Sequence, residues 1–218
     1  SMVRIEELYE FFLKHPVICT DSRKIVPGSI FFALKGANFN GNQYATNAIE
    51  HGSAYAIIDE SSYSTDKKFI LVGNALSTLQ ELSTYHRKRS NTQVIAITGT
   101  NGKTTTKDLI GAVLAKKFNI TCTTGNFNNH IGVPLTLLSI TPSTEYAIVE
   151  MGANHPGEIS QLCNIALPDY GLITNIGKAH IEGFGSYEEV IKAKKELYDY
   201  LANNNGIMFQ NSDNQILT

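Results

Sequence analysis

From Gln93 onward, short apolar runs alternate with segments of helical pattern, and this alternation narrows the possible folds more than any other feature. The runs cover residues 94–98, 146–150, 171–175 and 207–210. Helices are expected between them over residues 104–116, 158–164 and 187–201. Strands separated by helices join as right-handed βαβ crossovers, which build a parallel sheet. In such sheets ligands sit outside the carboxyl ends of the strands. The residues that follow each run are therefore the ones to read for chemistry.

The first ninety residues have a different grain. A short helix is expected over residues 5–14, ended near Pro16. Runs rich in β-formers at 17–20 and 30–34 flank the turn signal Pro27-Gly28. A helical pattern over 44–51 meets Gly52 as a C-cap. A strand over 54–58 and a helix over 75–86, with Leu76, Leu79 and Leu82 on one side, complete the unit. The polar stretch Arg87-Lys88-Arg89-Ser90-Asn91-Thr92 reads as a boundary, its three basic residues forming a solvated helix end that suits the helix dipole. The 218 residues amount to roughly one and a half domains at about 150 residues each. The expectation is an α/β protein: a small mixed α/β domain over residues 1–90, then a mostly parallel, P-loop-type domain over 91–218, which the family resemblance given below implies to be partial.

The first strand of the second unit runs into Gly99-Thr100-Asn101-Gly102-Lys103-Thr104-Thr105. Glycines let backbone N–H groups approach a phosphate, and the helix that follows adds the positive end of its dipole. Lys103 is placed to reach β- and γ-phosphates, and the Thr104 hydroxyl to meet Mg²⁺. The pattern is shorter than the full Walker motif, which needs glycine where this chain has Ile97.

The other strand ends supply acids and a histidine. Tyr146-Ala147-Ile148-Val149 ends in Glu150, which suits a contact to Mg²⁺, direct or through water. The 171–175 run ends at Asn175 and leads to His180, a candidate for a divalent ion. Asn211 and Asp213 follow the last strand, at the same rim or in a plain turn. In the helix over 187–201, at about 100° per residue, Lys194 falls in the middle of the apolar stripe of Tyr187, Val190, Ile191, Leu197, Tyr198 and Leu201. Lys192, Glu196 and Asp199 make the polar face. An inward ammonium is costly unless paired, deprotonated or modified. Lys194 either snorkels to solvent or lines a site, where its carbamate would be an oxygen ligand for Mg²⁺.

Four strings carry a family resemblance: Thr98 to Thr104; Gly125-Asn126-Phe127-Asn128-Asn129-His130-Ile131-Gly132-Val133-Pro134; Glu150-Met151-Gly152-Ala153-Asn154-His155-Pro156-Gly157-Glu158-Ile159; and Ala179-His180-Ile181-Glu182-Gly183-Phe184-Gly185-Ser186. Together they resemble the Mur ligases, ATP-dependent enzymes that extend the peptide stem of the cell-wall precursor. The second and third strings look most like the branch that joins D-alanyl-D-alanine to UDP-MurNAc-tripeptide. Thr20-Asp21-Ser22-Arg23, Phe32-Ala33-Leu34-Lys35-Gly36 and Asn40-Gly41 look like the family's UDP-binding domain.

The resemblance implies ATP and Mg²⁺ as cofactors, with nucleotide contacts from Gly99, Thr100, Asn101, Gly102, Lys103, Thr104, Thr105 and Asn175. It implies substrate contacts from Ser22, Arg23, Asn128 and Asn129, and metal contacts from Thr104, Glu150, His180 and carbamylated Lys194. Lys103, Lys194 and His180 carry the catalytic roles. Family members possess a third domain, so the chain reads as an N-terminal fragment of a longer ligase, inactive alone. The alternatives are the sister ligase that adds the third stem residue, and a nucleotide-binding module without ligase activity.

Composition bears on partners and location. Lys plus Arg number 18 and Asp plus Glu 20, a net charge of −2, so no nucleic-acid partner is expected. No apolar run approaches the ~18 residues of a membrane span, and no signal peptide is visible at the start. Cys19, Cys122 and Cys163 are odd in number and form no CxxC pair. The expectation is a reduced, cytoplasmic monomer.

Overall fold

The computed structural model describes residues 2–174 and 187–209. The chain divides into two compact units, residues 1–86 and 87–218, and each has its own parallel sheet.

The first unit runs α1 (Ile5–Lys14), β1 (Ile18–Cys19), β2 (Ile30–Phe32), β3 (Lys35–Gly36), β4 (Phe39–Asn40), α2 (Ala45–Glu50), β5 (Tyr55–Ile58), β6 (Phe69–Leu71) and α3 (Ala75–Arg89). Its sheet has the order β1-β2-β5-β6 with every pair parallel, and β3 and β4 form a small antiparallel hairpin. All three residues of β2 are fully buried, as expected of a strand covered on both faces. Phe31, Ala56 and Ile58 pack with Ala45 and Ala48 of α2. Ile30, Phe32 and Ile57 point to the opposite face by strand alternation. Tyr9 and Phe12 of α1 meet the rings of Tyr85 and His86 on α3, and the Tyr9 hydroxyl lies 2.9 Å from His86 Nδ1.

The second unit continues with β7 (Gln93–Thr98), α4 (Lys103–Leu114), β8 (Ile120–Cys122), α5 (Gly132–Leu138), β9 (Tyr146–Glu150), α6 (Glu158–Ala166), β10 (Tyr170–Ile173), α7 (Tyr187–Asn203) and β11 (Ile207–Phe209). The five strands are all parallel, in the order β11-β10-β7-β9-β8. The central strand is thus flanked by strands formed much later in the chain. Alternation sorts the side chains. Val94, Ala96, Ala147 and Val149 pack into one core with Val133 and Leu137 of α5, Ile159 and Leu162 of α6, and Leu197 and Leu201 of α7. Ile148 faces the other way, toward α4: a methyl on Gly111 would lie 3.7 Å from Ile148 Cδ1 and 3.1 Å from Cys122 Sγ. Helix α4 therefore lies close on the sheet, opposite the three other helices.

Several elements depart from the sequence reading. Strands β6 and β8 and helix α5 were not expected. The β-hairpin was not expected either, and a 3₁₀ turn over Gly41–Tyr44 precedes α2. Helix α3 runs to Arg89. Its end is not uniformly solvated: Lys88 and Arg89 are exposed, but Arg87 is buried. Arg87 donates to the carbonyls of Thr92, Ala166 and Leu167 at 3.0, 3.1 and 2.8 Å, and to Asp169 Oδ2 at 2.7 Å. A guanidinium supplies five N–H donors in a fixed fork, which suits the carbonyls left open at the end of α6.

Candidate functional site

The site is built at the carboxyl ends of β7, β9 and β10. Strand β7 ends at Thr98, the chain turns at Gly99 (φ 147°), and Gly102 (φ 77°) precedes the first residue of α4. Gly99 is required on contact grounds as well as by its φ, because a Cβ there would lie 1.9 Å from Thr174 Oγ1. The first-turn N–H groups of α4 have no carbonyl four residues back within the helix. Lys103 is half-buried and its Nζ donates to Gly99 O at 2.8 Å. Burial pulls its ammonium below the ordinary lysine pKa, with the charge of Glu150 partly opposing.

Glu150 ends β9 and pairs in register with Ile97 of β7. By alternation it shares a face with Ile148, which puts it under α4. Its side chain is 1% exposed. The Thr104 hydroxyl lies 3.3 and 3.2 Å from its two oxygens, and Asn128 Nδ2 donates to Oε1 at 3.0 Å. Lys107 was not singled out in the sequence, yet it sits beside this carboxylate. Its side chain is 3% exposed, its Nζ is 3.8 Å from Glu150 Oε2, and it donates to Thr123 O and Gly125 O at 2.9 and 2.6 Å.

An exposed hydroxyl and a buried carboxylate converging at this distance fit a hard divalent cation, which takes oxygen ligands. Among the described residues no group of three His, Cys, Asp or Glu side chains converges. Thr104 and Glu150 would thus hold Mg²⁺ together with oxygens from elsewhere, such as phosphate or water.

The other site residues expected in the second unit fall in three groups. Thr100 is buried, whereas Asn101 and Thr105 are exposed on the loop and the first turn of α4. Asn128 and Asn129 both serve the protein itself. Asn128 holds Glu150, and Asn129 Oδ1 accepts from the N–H groups of Ile131 and Gly132 at 3.1 and 2.8 Å, fixing the turn that leads into α5. Asn175, His180, Asn211, Asp213 and the Lys194 side chain lie outside the described residues.

On α7, Leu197 and Leu201 are buried, as the apolar stripe requires, but Tyr198 is 39% exposed. Glu196 is not simply solvated. It crosses to α6 and accepts from the N–H groups of Gly157 and Ser160 at 3.0 and 2.9 Å, capping a helix whose own cap residue is glycine.

In the first unit, Asp21, Ser22 and Arg23 form a turn after β1. Arg23 donates to Asp21 through its side chain and its backbone N–H, and these bonds hold the Asp21 carboxyl at about 2. Asp59, after β5, is a hub that the motifs did not reveal. Burial opposes its ionisation, but the Ala75 N–H, the Asn42 amide and Lys35 together hold it below the usual carboxylate range. Beside it, Lys35 to Asn40, Gln43 and Tyr44 line a cavity of about 410 Å³, with the Phe39 and Tyr44 rings stacked 5.4 Å apart.

Residues 97–218 match the Mur ligase middle domain. The chain belongs to the Mur ligase family. Residues 16–95 match the family's catalytic domain as well. Among curated Mur ligases, the UDP-N-acetylmuramoyl-tripeptide–D-alanyl-D-alanine ligase of Escherichia coli is 40% identical over 197 residues, 90% of this chain and 43% of that protein. The ligase of the same name from Bacillus subtilis is 41% identical over 211 residues, 96% of this chain and 46% of that protein. Among solved structures, MurF from Acinetobacter baumannii superposes with a TM-score of 0.77 at 36% identity, over 84% of this chain and 40% of that one. The MurF ligase from Thermotoga maritima in complex with ADP gives 0.77 at 31% identity, over 86% and 44%. The chain thus spans less than half the length of each of these relatives.

Proposed function

We propose that these residues are the substrate-nucleotide and ATP-binding parts of a Mur ligase that joins D-alanyl-D-alanine to UDP-MurNAc-tripeptide. The observation that carries the reading is the loop from Gly99 to Thr105, with Thr104 at the buried Glu150 carboxylate. The names of the curated relatives, at about 40% identity over nine-tenths of the chain, support the choice of substrates and weigh against the sister ligase. The ligation is proposed for a protein that carries these residues together with a counterpart of the remainder of those relatives.

On this reading the loop N–H groups and Lys103 hold the ATP phosphates. Lys103 spends one of its three ammonium protons on Gly99 O and can offer others to the γ-phosphate. The γ-phosphoryl group passes to the terminal carboxylate of the tripeptide and ADP leaves. The amine of D-alanyl-D-alanine then attacks the acyl carbon, phosphate departs, and the nitrogen loses a proton. Mg²⁺, when bound at Thr104 and Glu150, offsets negative charge on the phosphates. His180 and carbamylated Lys194 belong to the proposal as further metal ligands, and Asn175 as a nucleotide contact. Ser22 and Arg23 are proposed at the uridine diphosphate. Asn128 and Asn129 are proposed beside the muramoyl group, held there by their bonds to Glu150 and to the N–H groups of Ile131 and Gly132. We place the protein in the cytoplasm as a monomer, without a nucleic-acid partner or membrane insertion. Three free cysteines agree with a reducing compartment, and no described helix is long and apolar enough to cross a membrane.

Calorimetric titration of the 218-residue chain tests the assignment. Lys103→Ala is expected to weaken MgATP binding on the order of 100-fold while leaving UDP-MurNAc-tripeptide binding unchanged. Arg23→Ala is expected to do the reverse. Nucleotide binding indifferent to Lys103→Ala, or no binding of the UDP compound, refutes the corresponding half. Nucleotide hydrolysis without any peptide substrate points instead to a switch or transport ATPase.

A further inference from the structure

Thr174 follows β10 and stands outside the glycine-rich motif, yet it bonds both the end of β7 and the phosphate loop. Its N–H donates to Thr98 O at 2.9 Å, and its hydroxyl donates to Asn101 O at 2.7 Å. The same hydroxyl fills the space beside Gly99, where a Cβ would lie 1.9 Å away. A loop that holds an anion must present N–H groups to it and turn its carbonyl oxygens elsewhere, because a carbonyl oxygen repels phosphate. Two side chains perform that turning here. Lys103 takes Gly99 O and Thr174 takes Asn101 O. In a trans peptide the C=O and N–H point in opposite directions. Drawing Asn101 O toward β10 therefore aims the N–H of Gly102 away from β10.

We propose that Thr174 is a positioning residue for anion binding: its hydroxyl sets the plane of the Asn101–Gly102 peptide so that the Gly102 N–H faces a bound phosphate. The inference rests on the reading of this loop as the nucleotide site. Threonine suits the task because its methyl fixes the hydroxyl in few rotamers, and because the strand end beside β7 brings it over the loop.

The test uses the 218-residue chain with ADP and Mg²⁺ as the probe, below the melting transition of every variant. Thr174→Val keeps the volume and removes the donor, Thr174→Ala removes both, and Thr174→Ser keeps the hydroxyl. The expected result is ADP binding weakened about fivefold or more in the valine and alanine variants, the value of one net hydrogen bond. The serine variant should stay within about twofold of wild type. In ¹⁵N spectra the Gly102 amide should shift on adding ADP in the wild-type and serine proteins, and much less in the valine protein. Wild-type affinity in both the valine and alanine variants overturns the proposal, and so does a serine variant as weak as valine. No ADP binding by the wild-type chain overturns the nucleotide reading and the proposal with it. Wild-type binding unaffected at position 174 overturns the proposal alone.

Discussion

Lys107→Met is the sharpest test of how the site is held together. The lysine side chain is 3% exposed and faces the sheet beside Gly111, while Leu109 and Val113 of the same helix face solvent. Methionine keeps most of the stem and its packing but removes the ammonium. The carbonyls of Thr123 and Gly125 then lose their donor, and buried Glu150 loses the ammonium 3.8 Å from it. Each hydrogen bond to a charged group contributes about 1.5–3 kcal/mol, and removing one partner of a buried charge pair costs about 3–5 kcal/mol. Retained packing makes about 3 kcal/mol a fair expectation, or roughly a hundredfold in an opening equilibrium. The effect is local first. Hydrogen exchange in α4 and over residues 119–131 should accelerate about a hundredfold, whereas β2 of the first unit should keep its protection. In urea, the transition that melts β7–β9 should fall by about 1–1.5 M. Less than about a threefold change in exchange means that the ammonium reaches water by another route, and the account of Glu150 then fails.

Three further outcomes follow from the same kind of argument. Arg87→Met leaves three carbonyls and Asp169 without their guanidinium; the lost charge-assisted bonds should cost about 2–3 kcal/mol in urea melts, with Arg87→Lys recovering only part because the fork is lost. Asn128→Asp sets a second carboxylate about 3 Å from Glu150. Two such charges repel at that distance, so the variant should be less stable than wild type in urea melts; equal stability refutes the contact. Asp21 is held at about 2 by Arg23, below the unfolded value of about 3.9. The contribution of its turn is therefore complete above about pH 4 and is lost as pH falls toward 2. A ¹³C titration of the Asp21 carboxyl with a midpoint near 4 would show that the Arg23 bonds do not persist in solution.

The sequence made the frame of the second unit legible because its strands are apolar on both faces and its glycines punctuate them. The runs at 94–98 and 146–150 became β7 and β9 with their ends in the right place, and Thr104 and Glu150 did converge. Strands β6 and β8 are hard to read because polar residues crowd them, Asp66-Lys67-Lys68 before β6 and Asn119 and Thr123-Thr124 around β8. Helix α5 has no signal of its own: it is seven residues long and holds Pro134, which only the first turn of a helix tolerates. Long side chains misled more than short ones. Arg87 and Glu196 look like solvated helix residues, and Lys107 went unremarked, since nothing local tells an exposed cation from one that reaches a carbonyl far away in sequence. Their partners, Ala166, Ser160 and Gly125, are supplied by the fold. Asn128 and Asn129 were singled out by family resemblance as substrate contacts; their bonds to Glu150 and to the N–H groups of Ile131 and Gly132 depend on the fold and had no local signal.

The central position of β7 also has a consequence for biosynthesis. Its two partners are β9 and β10, which leave the ribosome about 50 and 75 residues after it. At about 5–20 residues per second, a strand of Val94, Ile95, Ala96 and Ile97 waits several seconds with both edges unpaired. The nascent chain is then most open to aggregation, and a chaperone that shields this one strand until Ile173 has emerged would raise the yield more than one acting on any later element.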